Sequence, residues 1–189
     1  MATVVNPRVG SEARPPNTRP ARPPDTTSRR TRHLRSPVVG DLTSDDDPTP
    51  DDPTLRATIE TSYAEGGAPL MHGLGLRLRS ATPGRVRFEV DVVDHITHGG
   101  GVMCGQAILG CMDTGMVFVM MSLGDPAGRS FTTVSLNTVF ERAVPEDVGT
   151  VTFEAWSTRP GRTLVFGQVD LFLPDGRRAA TATTTYMWI

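Results

Sequence analysis

The sequence predicts an α+β fold, an antiparallel sheet wrapped around one long central helix, on three observations. The stretch Val102–Leu123 is the most apolar in the chain and carries a single full charge, Asp113. Its length suits about six turns of helix better than a strand. On both sides of it, segments alternate apolar and polar residues at period two, the pattern of strands with one wet face. Turn signals separate those segments at Thr82-Pro83-Gly84, Arg159-Pro160-Gly161 and Pro174-Asp175-Gly176. A helix that is apolar on nearly every side must be enclosed, and a curved sheet encloses it with the least chain.

The first element is a short helix that starts at Asp52-Pro53-Thr54, a capping acid followed by proline in the first turn. Leu55, Ile59 and Tyr63 recur every four residues, and Gly66-Gly67 stops the run. Leu74, Leu76 and Leu78 then alternate with Gly75, Arg77 and Arg79. Across the next turn Val86, Phe88, Val90 and Val92 alternate with Arg85, Arg87, Glu89 and Asp91, which completes a hairpin. The glycine run Gly99-Gly100-Gly101 opens the long helix, placed at about 101–122. Strand patterns follow at about 130–140, 149–157, 162–173 and 177–188.

Ahead of these elements the composition changes. Residues 1–53 hold 10 of the 16 prolines, with eight arginines up to Gly40 and six aspartates from Asp41 to Pro53. Such a segment has too little apolar surface to offset chain entropy, so it reads as a disordered tail ahead of a single domain at 54–189. It has no apolar core of the kind a secretory signal needs. All 19 cationic residues counted as Lys+Arg are arginine, which excludes Schiff-base chemistry and the phosphate-loop lysine. A formal net charge of −2 gives no electrostatic case for nucleic acid. Val102–Leu123 is long enough to span a bilayer, but Asp113 near its centre would cost roughly 2.5–3.5 kcal/mol there. It also lacks aromatic or arginine anchors, so the helix reads as a protein core and not a membrane segment.

Asp113 is the anomaly: a carboxylate among Cys111, Met112, Met116 and Val117 is either satisfied by buried polar groups or functional. Burial would move such an acid toward the range of a usable general base. The glycine-rich lead into a helix presents free amides and the positive end of the dipole, either an oxyanion or anion site or a flexible turn. Asp94, His95, His98 and Cys104 have the right types for a metal but match no familiar ligand spacing, so no metal is expected. Cys104 at a helix start is either a small core thiol or a nucleophile with a lowered pKa. Seven helical residues hold it about 10 Å from Cys111, beyond disulfide reach.

The stretch "THGGGVMCGQAILGCMDTGM" resembles the helix-start motif of hotdog-fold acyl-CoA thioesterases of the phenylacetate-pathway (PaaI-type) family. Relatives show an Asn or Gln, a glycine, His-Gly-Gly, and an acid nine residues after the histidine. Here Asp113 holds the acid position, Cys104 that of the histidine, Gly105 its following glycine, and His98 the Asn/Gln position. Gln106 replaces the second glycine. "TTVSLNTVFERAVPEDVG" and "RPGRTLVFGQVDLFLPDGRRAATATTTY" resemble the family's later strand and final hairpin, so the likeness spans about 54–189.

The resemblance implies a hotdog fold and hydrolysis of an acyl-CoA thioester, with coenzyme A entering only as part of the substrate and no resident cofactor. It implies Asp113 as general base or nucleophile, the Gly105 amide polarising the thioester carbonyl, Thr133 orienting water, and His98 as a donor nearby. Cys104 and Gln106 fall at the substrate, and Arg159 and Arg162 are candidates for the coenzyme A phosphates. The Met-rich helix and apolar sheet face suggest an acyl tunnel. Relatives assemble as homodimers or homotetramers with sites at the subunit interface, and a cytoplasmic location is expected. The Cys104 departure favours one alternative, a non-catalytic acyl-CoA-binding or regulatory module on the same fold. Hydratase chemistry is a further one, which would want Asp94 and His95 paired.

Overall fold

The computed structural model describes residues 50–189. The segment assigned to a disordered tail lies outside the described residues except for its last four positions. Two of those position the first helix, α1 (Pro53–Gly66). The Asp52 carboxylate accepts from the Thr54 and Leu55 amides at 3.0 Å, satisfying two donors that the helix leaves unpaired. Asp51 accepts from the Ala81 amide at 3.0 Å, and the Asp52 amide donates to the Ala81 carbonyl. The cap thereby also ties α1 to the sheet.

Next come a helical turn α2 (Pro69–His72), strands β1 (Arg77–Thr82) and β2 (Arg85–Asp91), and a small hairpin of β3 (Thr97–His98) with β4 (Val102–Met103). The long helix α3 (Gly105–Leu123) is followed by β5 (Phe131–Phe140), β6 (Thr150–Pro160), β7 (Leu164–Phe172) and β8 (Arg178–Trp188). Six strands form one sheet in the order β1-β2-β6-β7-β8-β5. Every neighbouring pair is antiparallel.

The first strand and the long helix both start later than the sequence expectation, each for a tertiary reason. The strand expected from Leu74 begins only at Arg77, because Met71 and Leu74 fold over α3 at Gly110. A Cβ at Gly110 would fall 3.1 Å from Leu74 Cδ1. The long helix begins at Gly105 and not near residue 101. The Met103 amide donates to the Val144 carbonyl and the Cys104 amide to the Ile96 carbonyl, both at 2.8 Å. Those bonds keep the chain extended to Cys104, with Gly101 (φ 71°) turning the hairpin.

Eleven of the 19 residues of α3 are buried, most of them against the sheet and the rest under α1 and α2. The helix is long and apolar enough to cross a membrane, yet that apolar surface is largely spent on the strands. Phe88 of β2 stacks on Phe153 of β6 at 5.0 Å, and Phe118 of α3 meets Phe88 edge-on at 5.8 Å. Gly115 lets the helix approach this stack, since a Cβ there would sit 2.8 Å from Phe88 Cε1 and 3.3 Å from Ala155 Cβ. Phe88 is fixed by both aromatic neighbours and has nowhere to yield. Overpacking of about 1–3 kcal/mol therefore exceeds the ~1 kcal/mol that alanine returns in helix propensity. Gly115→Ala should lower the urea midpoint without changing the slope of the transition.

β1 and β5 are the two edges of the sheet. β5 leaves Val134 (54%), Val139 (60%) and Phe140 (50%) exposed. A ten-residue edge with apolar side chains and one unpaired row of backbone groups is a template for another strand.

Candidate active site

Asp113 lies midway along α3, on the flank that meets β5 and β8. Thr133 Oγ1 of β5 donates to Asp113 Oδ1 at 3.0 Å. The Tyr186 hydroxyl of β8 donates to the same oxygen at 2.5 Å and lies 2.9 Å from the Asp113 carbonyl oxygen. Thr133 and Tyr186 are cross-strand partners, and a register shift follows directly between Thr133 and Ser135. No donor within the described residues reaches Asp113 Oδ2.

The expectation of a fully buried carboxylate is corrected. Cys111, Met112 and Met116 turn into the core, whereas Asp113 and Val117, one helical turn apart, share a half-buried stripe. The carboxylate is both hydrogen-bonded and accessible. Tyr186 was not picked out from the sequence, although a signal existed. Ala180, Ala182, Thr184, Tyr186 and Trp188 alternate onto the inner face, where a phenol needs a partner. Burial raises the Tyr186 pKa well above that of a free phenol, and the hydrogen bond to Asp113 adds to this. The hydroxyl therefore remains a donor.

The second part of the site is the start of α3. Cys104 caps the helix without a side-chain hydrogen bond, and the Gly105 and Gln106 amides find no backbone acceptor among the described residues. Phe140 lies over Gly105, its Cζ 3.5 Å from where a Cβ would stand. An open cleft of about 350 Å³ begins here, lined by Gly105, by the apolar Val102, Ile108 and Phe140, and by the charged Glu141 and Arg142. Cys104 is half-buried beside it and Gln106 is exposed. His98 is exposed on β3, and its Nδ1 accepts from the Gly100 amide at 3.0 Å. That bond leaves Nε2 as the protonated, outward nitrogen. His95 Nε2 faces the Gly73 carbonyl at 2.6 Å, so this ring is engaged away from Asp94.

Both cysteines are free thiols. Burial, with Cys104 as a smaller contributor, pushes the Cys111 thiol up to about 12, which removes it as a nucleophile. Tyr63, packed edge-on against Phe118, is likewise pushed up to about 12 by burial and then by Cys111.

Arg159 and Arg162 flank the β6–β7 turn. Eight of the eleven arginines in the described residues have a carboxylate within salt-bridge range. Arg87, Arg159 and Arg162 have none among those residues. Arg129, held by Asp125 just beyond the end of α3, donates to the Arg162 carbonyl at 3.0 Å. The turn thus sits at the opposite end of α3 from Gly105. Within one chain the structure joins Asp113 with Thr133 and gathers His98, Cys104, Gly105 and Gln106 around the helix start. It does not bring the two groups together: eight helical residues separate Gly105 from Asp113 by about 12 Å.

An antiparallel sheet curled around one long apolar helix is the architecture of the hotdog fold. Residues 100–180 match the family model described as Thioesterase superfamily, a family of thioester hydrolases. The PaaI protein of the E. coli phenylacetic acid degradation operon superposes with a TM-score of 0.64 at 15% identity, over 72% of this chain and 94% of its own. A thioesterase family protein from Silicibacter pomeroyi does so at 0.62 and 26% identity, over 70% and 96%. A Streptococcus mutans protein bound to acetyl-CoA gives 0.56 and 21%, over 60% and 88%. No curated protein matches the chain. The hotdog fold and the PaaI-type resemblance read from the sequence are both borne out.

Proposed function

We propose that this chain hydrolyses an acyl-CoA thioester to the free acid and coenzyme A. The observation that carries the proposal is Asp113, with one oxygen held by two donors and the other open, on the central helix of a thioesterase-type fold. Oδ2 takes a proton from a water whose oxygen bonds to the thioester carbonyl carbon. The Thr133 oxygen, whose own proton points to Asp113, has lone pairs left to accept from that water. The C–S bond then breaks, sulfur leaves with the bonding pair, and the proton on Asp113 returns to it as the thiol. The developing oxyanion is met by the Gly105 and Gln106 amides at the positive end of the helix dipole. This chemistry calls on no resident metal or cofactor.

Base and oxyanion donors must both lie about 3 Å from the same reacting group, and about 12 Å separates them along one helix. A second copy supplies the missing half. Antiparallel pairing of two β5 edges, centred between Leu136 and Asn137, sets Thr133 opposite the second copy's Phe140, and Phe140 covers Gly105. The same pairing covers Val134 and Val139 on both copies. A homodimer is the smallest assembly that completes the site, and a homotetramer would hold two such pairs.

In this reading the acyl group lies in the cleft against Ile108 and Phe140, with Cys104, Gln106 and the His98 Nε2–H beside the thioester. Arg159 and Arg162 hold coenzyme A phosphates, and the cytoplasmic acyl-CoA pool is the source of substrate. Release of free thiol from short, medium and aromatic acyl-CoAs tests the activity. Alanine at both Arg159 and Arg162 should raise KM for acyl-CoA by about tenfold, two exposed charge-assisted contacts' worth, and leave KM for the corresponding acyl-pantetheine unchanged. Cys104 in the family's histidine position favours the second reading, a module that binds acyl-CoA without turning it over. Saturable binding with no thiol release would establish that reading instead.

A further inference from the structure

We infer that Tyr186 is a positioning residue of the site, a buried phenol that fixes which oxygen of Asp113 reacts. This rests on the hydrolytic reading above. Tyr186 is 1% exposed, rooted in β8 between β7 and β5, with its ring tilted against Phe131 at 6.3 Å. Its side chain has little room to choose another rotamer. The hydroxyl reaches both Asp113 Oδ1 and the Asp113 carbonyl oxygen. A single phenolic proton serves one of these at a time, and the ionised carboxylate is the stronger acceptor.

Thr133 delivers a second proton to the same Oδ1. Two donors on one oxygen fix the rotation of the carboxylate about its Cβ–Cγ bond and engage that oxygen's lone pairs. Oδ2 is then the only oxygen free to take a proton or to attack. The two donors are unequal, because Thr133 is exposed on an edge strand while Tyr186 is enclosed. Tyr186 therefore sets the geometry, and Thr133 follows it across the ladder.

The test compares the full-length parent, Tyr186→Phe and Asp113→Asn by initial rates of thiol release across acyl-CoA concentrations, with thermal unfolding of each. Tyr186→Phe keeps the ring and removes one oxygen. Its kcat should fall about 10- to 100-fold, as expected when a reacting group loses its alignment, with KM changed by no more than about twofold. A purely structural tyrosine would lower the melting temperature and leave kcat of the folded protein at the parental value, and that result overturns the inference alone. An inactive parent, or an Asp113→Asn variant as active as the parent, overturns the inference together with the hydrolytic reading.

Discussion

Asp113→Asn should abolish thioester hydrolysis while the protein stays folded, with kcat down by about 10²- to 10⁴-fold, the range a general base contributes. The substitution is nearly isosteric. The asparagine carbonyl oxygen can occupy the Oδ1 place and still accept from both Thr133 and Tyr186. Its amide nitrogen then occupies the Oδ2 place, where it has protons to give and none to take. The chemical step loses its base without losing the site. Two charge-assisted hydrogen bonds become neutral ones, a change on the order of 1–2 kcal/mol in stability. That is a shift in melting temperature and not a loss of fold. Thiol release under saturating acyl-CoA measures the effect, and substrate binding by the variant shows that the cleft persists. Activity within a few-fold of the parent would mean that some other group abstracts the proton.

Asp113 stood out in the sequence because a lone acid in a 22-residue apolar run is costly unless something uses it. The helix, the hairpin β1–β2 and the last three strands were legible for a similar reason: periodicity is a local property, and the turns that bound these elements are written in Pro, Gly and Asp. What the sequence hid was set by tertiary contacts. β5 joins the sheet beside β8, far along the chain, so nothing local said that Thr133 and Tyr186 would converge on one carboxylate oxygen. The β3–β4 hairpin is two residues a side, too short for a period, and it moved the helix start to Gly105. The half-burial of Asp113 depends on its lying toward an edge strand, and strand order cannot be read from alternation.

The second large effect concerns the separation of the two half-sites. Gly105→Pro should be as inactive as Asp113→Asn, and a mixture of the two inactive variants should recover activity. Proline is well suited to this place. It is favoured at the first position of a helix, and the Gly105 amide donates to no backbone acceptor among the described residues. Cys104 already has φ −72° and ψ 146°, the extended conformation that precedes proline. A Cβ at position 105 meets Phe140 at an ordinary 3.5 Å. The variant therefore loses one donor for the oxyanion and little else, and removing one such donor costs about 10²- to 10³-fold in kcat. If the base comes from one copy and the amide from the other, a mixed dimer holds one intact site and one doubly defective site. Refolding the variants together at equal concentration makes half of the dimers mixed, so activity should return to about a quarter of the parental value. Activity that stays at the level of the separate variants, in mixtures that sediment as dimers, would place base and amide on the same chain and remove the need for a second copy.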